Sequence, residues 1–234
     1  MTNSSASFIA PDVTLADLWS NNPLKLGLLA SGSGSNVEAI AQTIAEEQLN
    51  AQIQLLIYNN PKATVKDRCD RLGIASKLLN HRDYGQREDL DRAIVQEFRQ
   101  QGVEWVIMAG WMRIVTPVLL EAFRDRVLNI HPSLLPSFRG IHAVEQALAA
   151  EVKITGCTVH FASLEVDSGQ IIMQAAVPIL PDDTAATLHA RIQLQEHRIF
   201  PLAIALAARL TAPVTSSLIT PSPVTSSVIA HASS

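Results

Sequence analysis

The sequence predicts an α/β fold: a mostly parallel, twisted sheet with helices on both faces and an antiparallel strand pair in its C-terminal half. Three observations predict it. Short apolar runs alternate with segments of helical period from residue 24 to about residue 150. One run, 105–110 (Trp-Val-Ile-Met-Ala-Gly), lacks polar alternation, as a central strand covered on both faces requires. Two extended runs, 154–162 and 170–179, are joined by seven polar-leaning residues, which suits an antiparallel pair.

The elements follow in order. Residues 1–23 are polar and irregular, end in Asn21-Asn22-Pro23, and are expected to form a flexible extension outside the core. Leu24–Ala30 is the first strand. The turn Ser31-Gly32-Ser33-Gly34-Ser35-Asn36 then opens a helix with Val37, Ile40, Ala41 and Ile44 on one face. The run 53–58 is a second strand, closed by Asn59-Asn60-Pro61. A helix over 63–72 stops at Gly73, which tolerates the left-handed conformation that ends helices. A strand at 74–79 precedes a helix over 87–101 that turns Leu90, Ile94, Val95 and Phe98 inward.

After the central run come a short helix at 117–123, the strand Val127–His131, a helix over 142–150 and the strand pair. A long helix from about Thr184 closes the domain, with Asp183 as its expected N-cap and Pro201 as an expected kink. The domain is therefore placed at 24–211. Beyond it, in 212–234, Pro213-Val214-Thr215-Ser216-Ser217-Leu218-Ile219 recurs ten positions later as Pro223-Val224-Thr225-Ser226-Ser227-Val228-Ile229. One duplication is too short for a solenoid and reads as a disordered Ser/Thr/Pro tail.

Composition narrows the function. The chain has 234 residues, 47% hydrophobic and 17% charged, enough for one domain with a buried core. A net charge of -4 argues against nucleic-acid binding, which needs a basic stripe. Two distant cysteines, Cys69 and Cys157, make neither a disulfide framework nor a zinc site, and no His/Cys/carboxylate spacing suggests a metal. The first 24 residues hold no Lys or Arg, unlike a signal peptide, and the apolar stretch 199–208 is too short to span a bilayer. A cytoplasmic protein without membrane contact is expected.

Two segments carry chemistry. In 31–36, glycines before a helix let the backbone approach a ligand, and the helix N-terminus offers unpaired N–H groups to a phosphate. The same loop also serves as an ordinary strand–helix turn. In Asn129-Ile130-His131-Pro132-Ser133-Leu134-Leu135-Pro136, the amide and the imidazole share one face of a strand, at the end where open α/β sheets bind ligands. His131 is either a histidine satisfied at a strand end or a proton carrier beside an amide donor. Asp167 is either a turn-former in Asp-Ser-Gly or the carboxylate that holds the imidazole in its proton-carrying form. With no GxSxG elbow, the substrate is expected to supply the nucleophile.

Taken together, Gly32-x-Gly34-Ser35-Asn36, 110–114 (Gly-Trp-Met-Arg-Ile), 129–136, 156–160 (Gly-Cys-Thr-Val-His), Asp167-Ser168-Gly169 and Gln193-x-Gln195-Glu196-His197 resemble, in order and spacing, the phosphoribosylglycinamide formyltransferases. The resemblance covers about residues 24–211. It implies a formyltransferase-type, Rossmann-like sheet and direct formyl transfer from 10-formyltetrahydrofolate to the amine of glycinamide ribonucleotide, in purine biosynthesis, without a metal. It implies Asn129 and His131 as oxyanion donors, His131 as proton carrier and Asp167 as its partner. Gly34, Ser35 and Asn36 would take the ribonucleotide phosphate, with Gln193 and Glu196 at the glycinamide end. Folate would meet Arg87, Met112, Arg113, Ile114, Val115 and Asn129, and the segment Ser163, Leu164, Glu165, Val166 and Asp167. His160 matches a family histidine near the active site and equally suits a packed strand position.

The resemblance also implies small-molecule partners only, in a monomer or weak homodimer. Three residues depart from the family pattern: Arg139 and Gln170 where Pro is frequent, and Ser168 within Asp-Ser-Gly. Arg139 is closer to methionyl-tRNA formyltransferase, but a tRNA-binding β domain is not expected from a Ser/Thr/Pro tail.

Overall fold

Residues 8–10 lie in the sheet rather than outside it. The structure, a computed structural model, describes residues 8–212, so the duplicated tail and its expected disorder lie outside the described residues. Strand β1 (Phe8–Ala10) pairs antiparallel with a C-terminal strand, placing Ile9 opposite Ala175. A 3-10 turn at Ala16–Leu18 then buries Leu18 against the core. The expectation of an extension outside the core therefore fails for residues 8–18. Ile9, Val13, Leu15 and Leu18 bring enough apolar surface to dock a segment whose polar appearance comes from its turns.

From residue 24 the alternation folds as read: β2 (Leu24–Ala30), α1 (Ser35–Ala45), β3 (Ala51–Tyr58), α2 (Val65–Leu72), β4 (Ser76–Leu78), α3 (Arg87–Gln100), β5 (Trp105–Met108), α4 (Pro117–Ala122) and β6 (Val127–His131). Then come α5 (Ala143–Ala149), β7 (Ile154–Phe161), β8 (Ile171–Pro178) and α6 (Ala185–Thr211). The sheet order is β1-β8-β7-β6-β5-β2-β3-β4. Strands β6, β5, β2, β3 and β4 are mutually parallel, whereas β7, β8 and β1 join antiparallel. Strand β6 thus has a parallel neighbour on one side and an antiparallel one on the other.

Two apolar clusters cover the two faces. Leu26, Leu28 and Ala30 of β2 pack with α1 and α6, while Leu29 joins α3 and α4 on the other face. Strand β6 follows the same alternation: Leu128 and Ile130 face the α6 side, and Val127 faces α3 and α4. Asn129 and His131 accordingly share the Val127 face, as the two-residue spacing predicts.

Helix α6 is capped by Thr184, not Asp183. The Thr184 hydroxyl accepts the Thr187 N–H, and the Thr187 hydroxyl accepts the Thr184 N–H. Asp183 is instead held by both Arg191 guanidinium nitrogens at 2.6 and 2.9 Å, which keep its carboxyl well below the usual range. The helix runs on through buried Pro201 to Thr211.

Gly156 of β7 packs directly against the backbone of β8. A Cβ there would lie 1.9 Å from the Ala175 carbonyl oxygen. Neither backbone can yield without breaking the ladder, so Gly156→Ala is expected to destabilise the protein by about 3 kcal/mol or more. Thermal denaturation of the purified variant measures it.

Candidate active site

The carboxyl end of β6 brings its side chains against β7 and the loop that follows it. Asn129 lies opposite His160 in the antiparallel register, and His131 opposite Thr158. Asp167, in the β7–β8 loop, has φ 51°, a left-handed conformation that Asp tolerates better than most residues. That conformation aims its carboxylate inward. One oxygen, Oδ2, accepts the Gly140 N–H at 2.8 Å and lies 3.3 Å from His131 Nδ1. The other, Oδ1, accepts from Asn129 Nδ2 at 3.4 Å and lies 3.6 Å from His160 Nε2. Side-chain exposures of 7%, 8% and 2% for His131, Asp167 and His160 place this cluster out of bulk water.

Burial pushes the Asp167 carboxyl up. The hydrogen bonding of His160 and the Gly140 N–H, with the charges of His131 and His160, more than offset it and hold the group below its ordinary value. His131 Nε2 lies 2.8 Å from the Phe138 carbonyl oxygen, so that nitrogen presents a proton to an acceptor. His160 Nδ1 lies 2.8 Å from the Phe161 carbonyl oxygen, and its Nε2 lies 3.1 Å from Asn129 Nδ2 and 3.6 Å from Asp167 Oδ1.

The loop after His131 is tied down by more than its prolines. The buried Thr158 hydroxyl donates to the Ser133 carbonyl at 2.7 Å and accepts the Leu135 N–H at 3.0 Å. Gln174 Nε2 donates to that hydroxyl at 2.9 Å and to the Leu135 carbonyl at 3.0 Å.

Two strand positions away, the turn after β2 meets α6. Ser35 Oγ accepts from Gln193 Nε2 at 2.7 Å, and Asn36 Nδ2 donates to Glu196 Oε2 at 2.8 Å. Burial pushes the Glu196 carboxyl up, with the Asn36 hydrogen bond and the charge of His189 opposing it only in part. Gly34 has φ 75° and packs on Val65, where a Cβ would come within 2.3 Å of the Val65 side chain. The first intrahelical bond of α1 is Glu38 N–H to Gly34, so the N–H groups of residues 35–37 precede the ladder.

Parallel β2, β5 and β6 are adjacent, so this turn and His131 stand at one sheet end, about 10 Å apart in two strand spacings. The loop after β5 joins them. Ser31 N–H donates to the Gly110 carbonyl at 3.0 Å, and Met112 N–H donates to Ser31 Oγ at 2.9 Å.

A cluster of amide, imidazole and carboxylate thus shares one sheet end with a glycine-containing turn that opens a helix, an arrangement able to support acyl transfer. The formyl transferase family model matches residues 24–204. The chain belongs to the formyl transferase family. Phosphoribosylglycinamide formyltransferase of Bacillus subtilis (strain 168) is 40% identical over 180 residues, 77% of this chain and 92% of that protein. The human trifunctional purine biosynthetic protein adenosine-3 is 44% identical over 184 residues, covering 79% of this chain but only 18% of that protein. The chain thus spans about a fifth of the length of such trifunctional relatives. Glycinamide ribonucleotide transformylase 1 from Symbiobacterium toebii has the same fold, with a TM-score of 0.79 and 42% identity over 81% of this chain and 90% of that one.

Within this formyl transferase, the residues expected at the site fall into three groups. Asn129, His131 and Asp167 meet directly, and so do Ser35, Asn36, Gln193 and Glu196. The folate group is more dispersed. Met112 and Ile114 are exposed, while the Val115 side chain is buried with α3 and α4, so only its backbone can face a ligand. Arg113 is half-buried, and Arg87 is exposed at the start of α3. Leu164, Glu165 and Val166 are exposed, and Ser163 Oγ accepts or donates to Ser168 Oγ at 2.9 Å.

Two departures from the family pattern tie loops together. Ser168 Oγ donates to the Glu165 carbonyl at 2.8 Å, and Arg139 reaches Glu165 at 2.9 Å. Some supporting residues escaped the sequence reading. Thr158 braces the His131 loop, and buried Asp91 accepts the Thr116 N–H at 2.6 Å, anchoring the end of the 112–115 segment. Asp91 had a signal, being an acid on the apolar stripe of α3, where an unpaired carboxylate is costly. Among the described residues no group of acidic, His and Cys side chains is arranged to hold a metal ion, and no helix is long and apolar enough to cross a membrane.

Proposed function

We propose that this formyl transferase moves the formyl group of 10-formyltetrahydrofolate to the amine of glycinamide ribonucleotide, releasing tetrahydrofolate. The observation that carries the reading is the Asp167 carboxylate between two imidazoles and the Asn129 amide, at the same sheet end as the 34–36 turn and Glu196. Phosphate binding alone needs no such cluster. The amine nitrogen attacks the formyl carbon, and the carbonyl electrons move to oxygen. Collapse of that tetrahedral intermediate breaks the bond to the folate nitrogen, which takes a proton as the new amide nitrogen loses one.

The residues divide the work. Asn129 and His131 face the developing oxyanion; the proton that His131 Nε2 gives to the Phe138 carbonyl is the one a substrate oxygen would compete for. Asp167, 3.3 Å from Nδ1, fixes the ring orientation so that Nε2 faces the substrate. The N–H groups of Gly34, Ser35 and Asn36 take the phosphate, and Gln193 and Glu196, which hydrogen-bond to Ser35 and Asn36 from α6, line the ribonucleotide beside that turn. Folate lies along Met112–Val115 and the Ser163–Asp167 loop, with Arg87 at its rim and Arg113 beside it. The exposed Met112 and Ile114 offer an apolar surface to a planar ring.

The purified chain is expected to release tetrahydrofolate from 10-formyltetrahydrofolate only when glycinamide ribonucleotide is present. Spectrophotometric assays with and without the ribonucleotide test this. Release without the acceptor points to a hydrolase, and no release in either assay removes the catalytic reading.

A further inference from the structure

We propose that Asp91 is a positioning residue for the folate, clamping Thr116 so that the backbone of residues 113–115 stays open to the ligand. The inference rests on the functional reading above, which lays the folate along this segment. Its ground is the way the segment is hung. At one end the Met112 N–H donates to Ser31 Oγ at 2.9 Å. At the other the Thr116 N–H donates to Asp91 Oδ2 at 2.6 Å. Between these two ties the N–H groups of Arg113, Ile114 and Val115 donate to no described residue. Backbone donors are seldom left unpaired, and here both ends of the unpaired run are held by side chains from other elements. The run is thus kept for a ligand that brings hydrogen-bond acceptors.

Asp91 has no other task that would explain it. It stands among the buried residues of α3 and is 2% exposed, where a carboxylate is costly unless donors replace water. Burial pushes its carboxyl up, and the two donors that oppose this, the N–H and the hydroxyl of Thr116, both belong to the residue that ends the segment. Capping does not account for the contact. Thr116 caps α4 with its own hydroxyl, which accepts the Val118 N–H at 3.3 Å. Asp91 also lies one turn after Arg87 on α3. The helix that carries Arg87 to the folate rim therefore fixes the segment as well, and keeps the two in a constant relation.

The test compares wild type with Asp91→Leu, which keeps bulk and helix propensity but accepts no hydrogen bond, and with Asp91→Asn, which keeps an acceptor. Asp91→Leu is expected to raise the folate KM by about tenfold, the scale of losing a hydrogen bond to a charged group, with ribonucleotide KM and kcat at saturation within about twofold of wild type. Asp91→Asn should recover most of this, to within about threefold of wild type. Ile94→Val, three residues along the same helix, loosens the core without removing an acceptor and should leave the folate KM unchanged while lowering stability.

A wild-type folate KM in Asp91→Leu, a ribonucleotide KM that rises in step with it, an Asn variant as impaired as the Leu variant, or an equal folate effect from Ile94→Val overturns the proposal. Amide hydrogen exchange of the wild-type protein, with and without tetrahydrofolate, decides even where a variant does not fold. The Thr116 amide should be protected in both states, and those of residues 113–115 only with tetrahydrofolate bound. A Thr116 amide that exchanges as fast as its three neighbours in the free protein also overturns the proposal. Tetrahydrofolate that protects none of the 113–115 amides removes the folate reading instead, a result distinct from the others.

Discussion

Asp167→Asn is expected to lower kcat by about a thousandfold, within the range by which positioned acid–base groups accelerate reactions. The substitution keeps the shape and can keep an acceptor for the Gly140 N–H. What it removes is the negative charge that faces His131 Nδ1 at 3.3 Å and His160 Nε2 at 3.6 Å. An amide nitrogen turned toward His131 Nδ1 would put donor against donor, so that imidazole loses the charge that orients it. Substrate KM values should change far less, because Asp167 acts mainly on charge that develops during the reaction.

Stability gives an independent reading of the same carboxylate. Its folded pKa is lowered, so it stabilises the fold above the unfolded value of about 3.9, and this contribution is lost as pH falls through the folded pKa. Wild type should therefore lose stability more steeply than Asp167→Asn below about pH 4. Chemical denaturation at neutral and acid pH measures the difference, and equal acid sensitivity would remove the charge argument.

How much of this was legible in the sequence depends on whether an interaction is local. The strand Val127–His131 reads off its own apolar run, and the alternation of β2 through β6 needs no partner to be seen. Residues 8–18 are the counterexample: a three-residue strand has no periodicity of its own, and β1 exists because β8 leaves an edge for it. The cap of α6 shows the same limit at short range. Asp183 and Thr184 both suit an N-cap, and the choice falls to Thr184 because Arg191, two turns along, claims the Asp183 carboxylate.

The site divides in the same way. Asn129 and His131 announce themselves by sharing a strand face, and the family pattern names Asp167. Thr158 and Gln174, which brace the loop beyond His131, look like ordinary strand residues until β7 and β8 are laid beside it. Asn36 is the instructive case. Its place in a glycine-rich turn suggests a phosphate ligand, while the contact across α1 and α6 gives its side chain to Glu196. Sequence position located the residue, and the tertiary fold decided which partner its side chain takes.

Asn129→Ala is expected to reduce kcat by about a hundred- to a thousandfold, the cost of removing one oxyanion donor, about 2.7–4 kcal/mol. The amide sits on β6 with Met108 and His160 as its register partners, so truncation leaves the strand pairing untouched. In the resting site, Nδ2 serves His160 at 3.1 Å and Asp167 at 3.4 Å, the latter a long bond with room to shift toward a stronger acceptor. An oxyanion is such an acceptor and the ground-state formyl oxygen is a weaker one, so the donor acts chiefly in the transition state.

The loss should thus appear in kcat and equally in kcat/KM, with KM for both substrates close to wild type. Asn129→Asp should be worse than Asn129→Ala, because it sets a second carboxylate against Asp167 and repels the oxyanion. A raised KM with kcat nearly kept would show instead that Asn129 holds the folate and gives no differential stabilisation, and the oxyanion role would then pass to His131 alone.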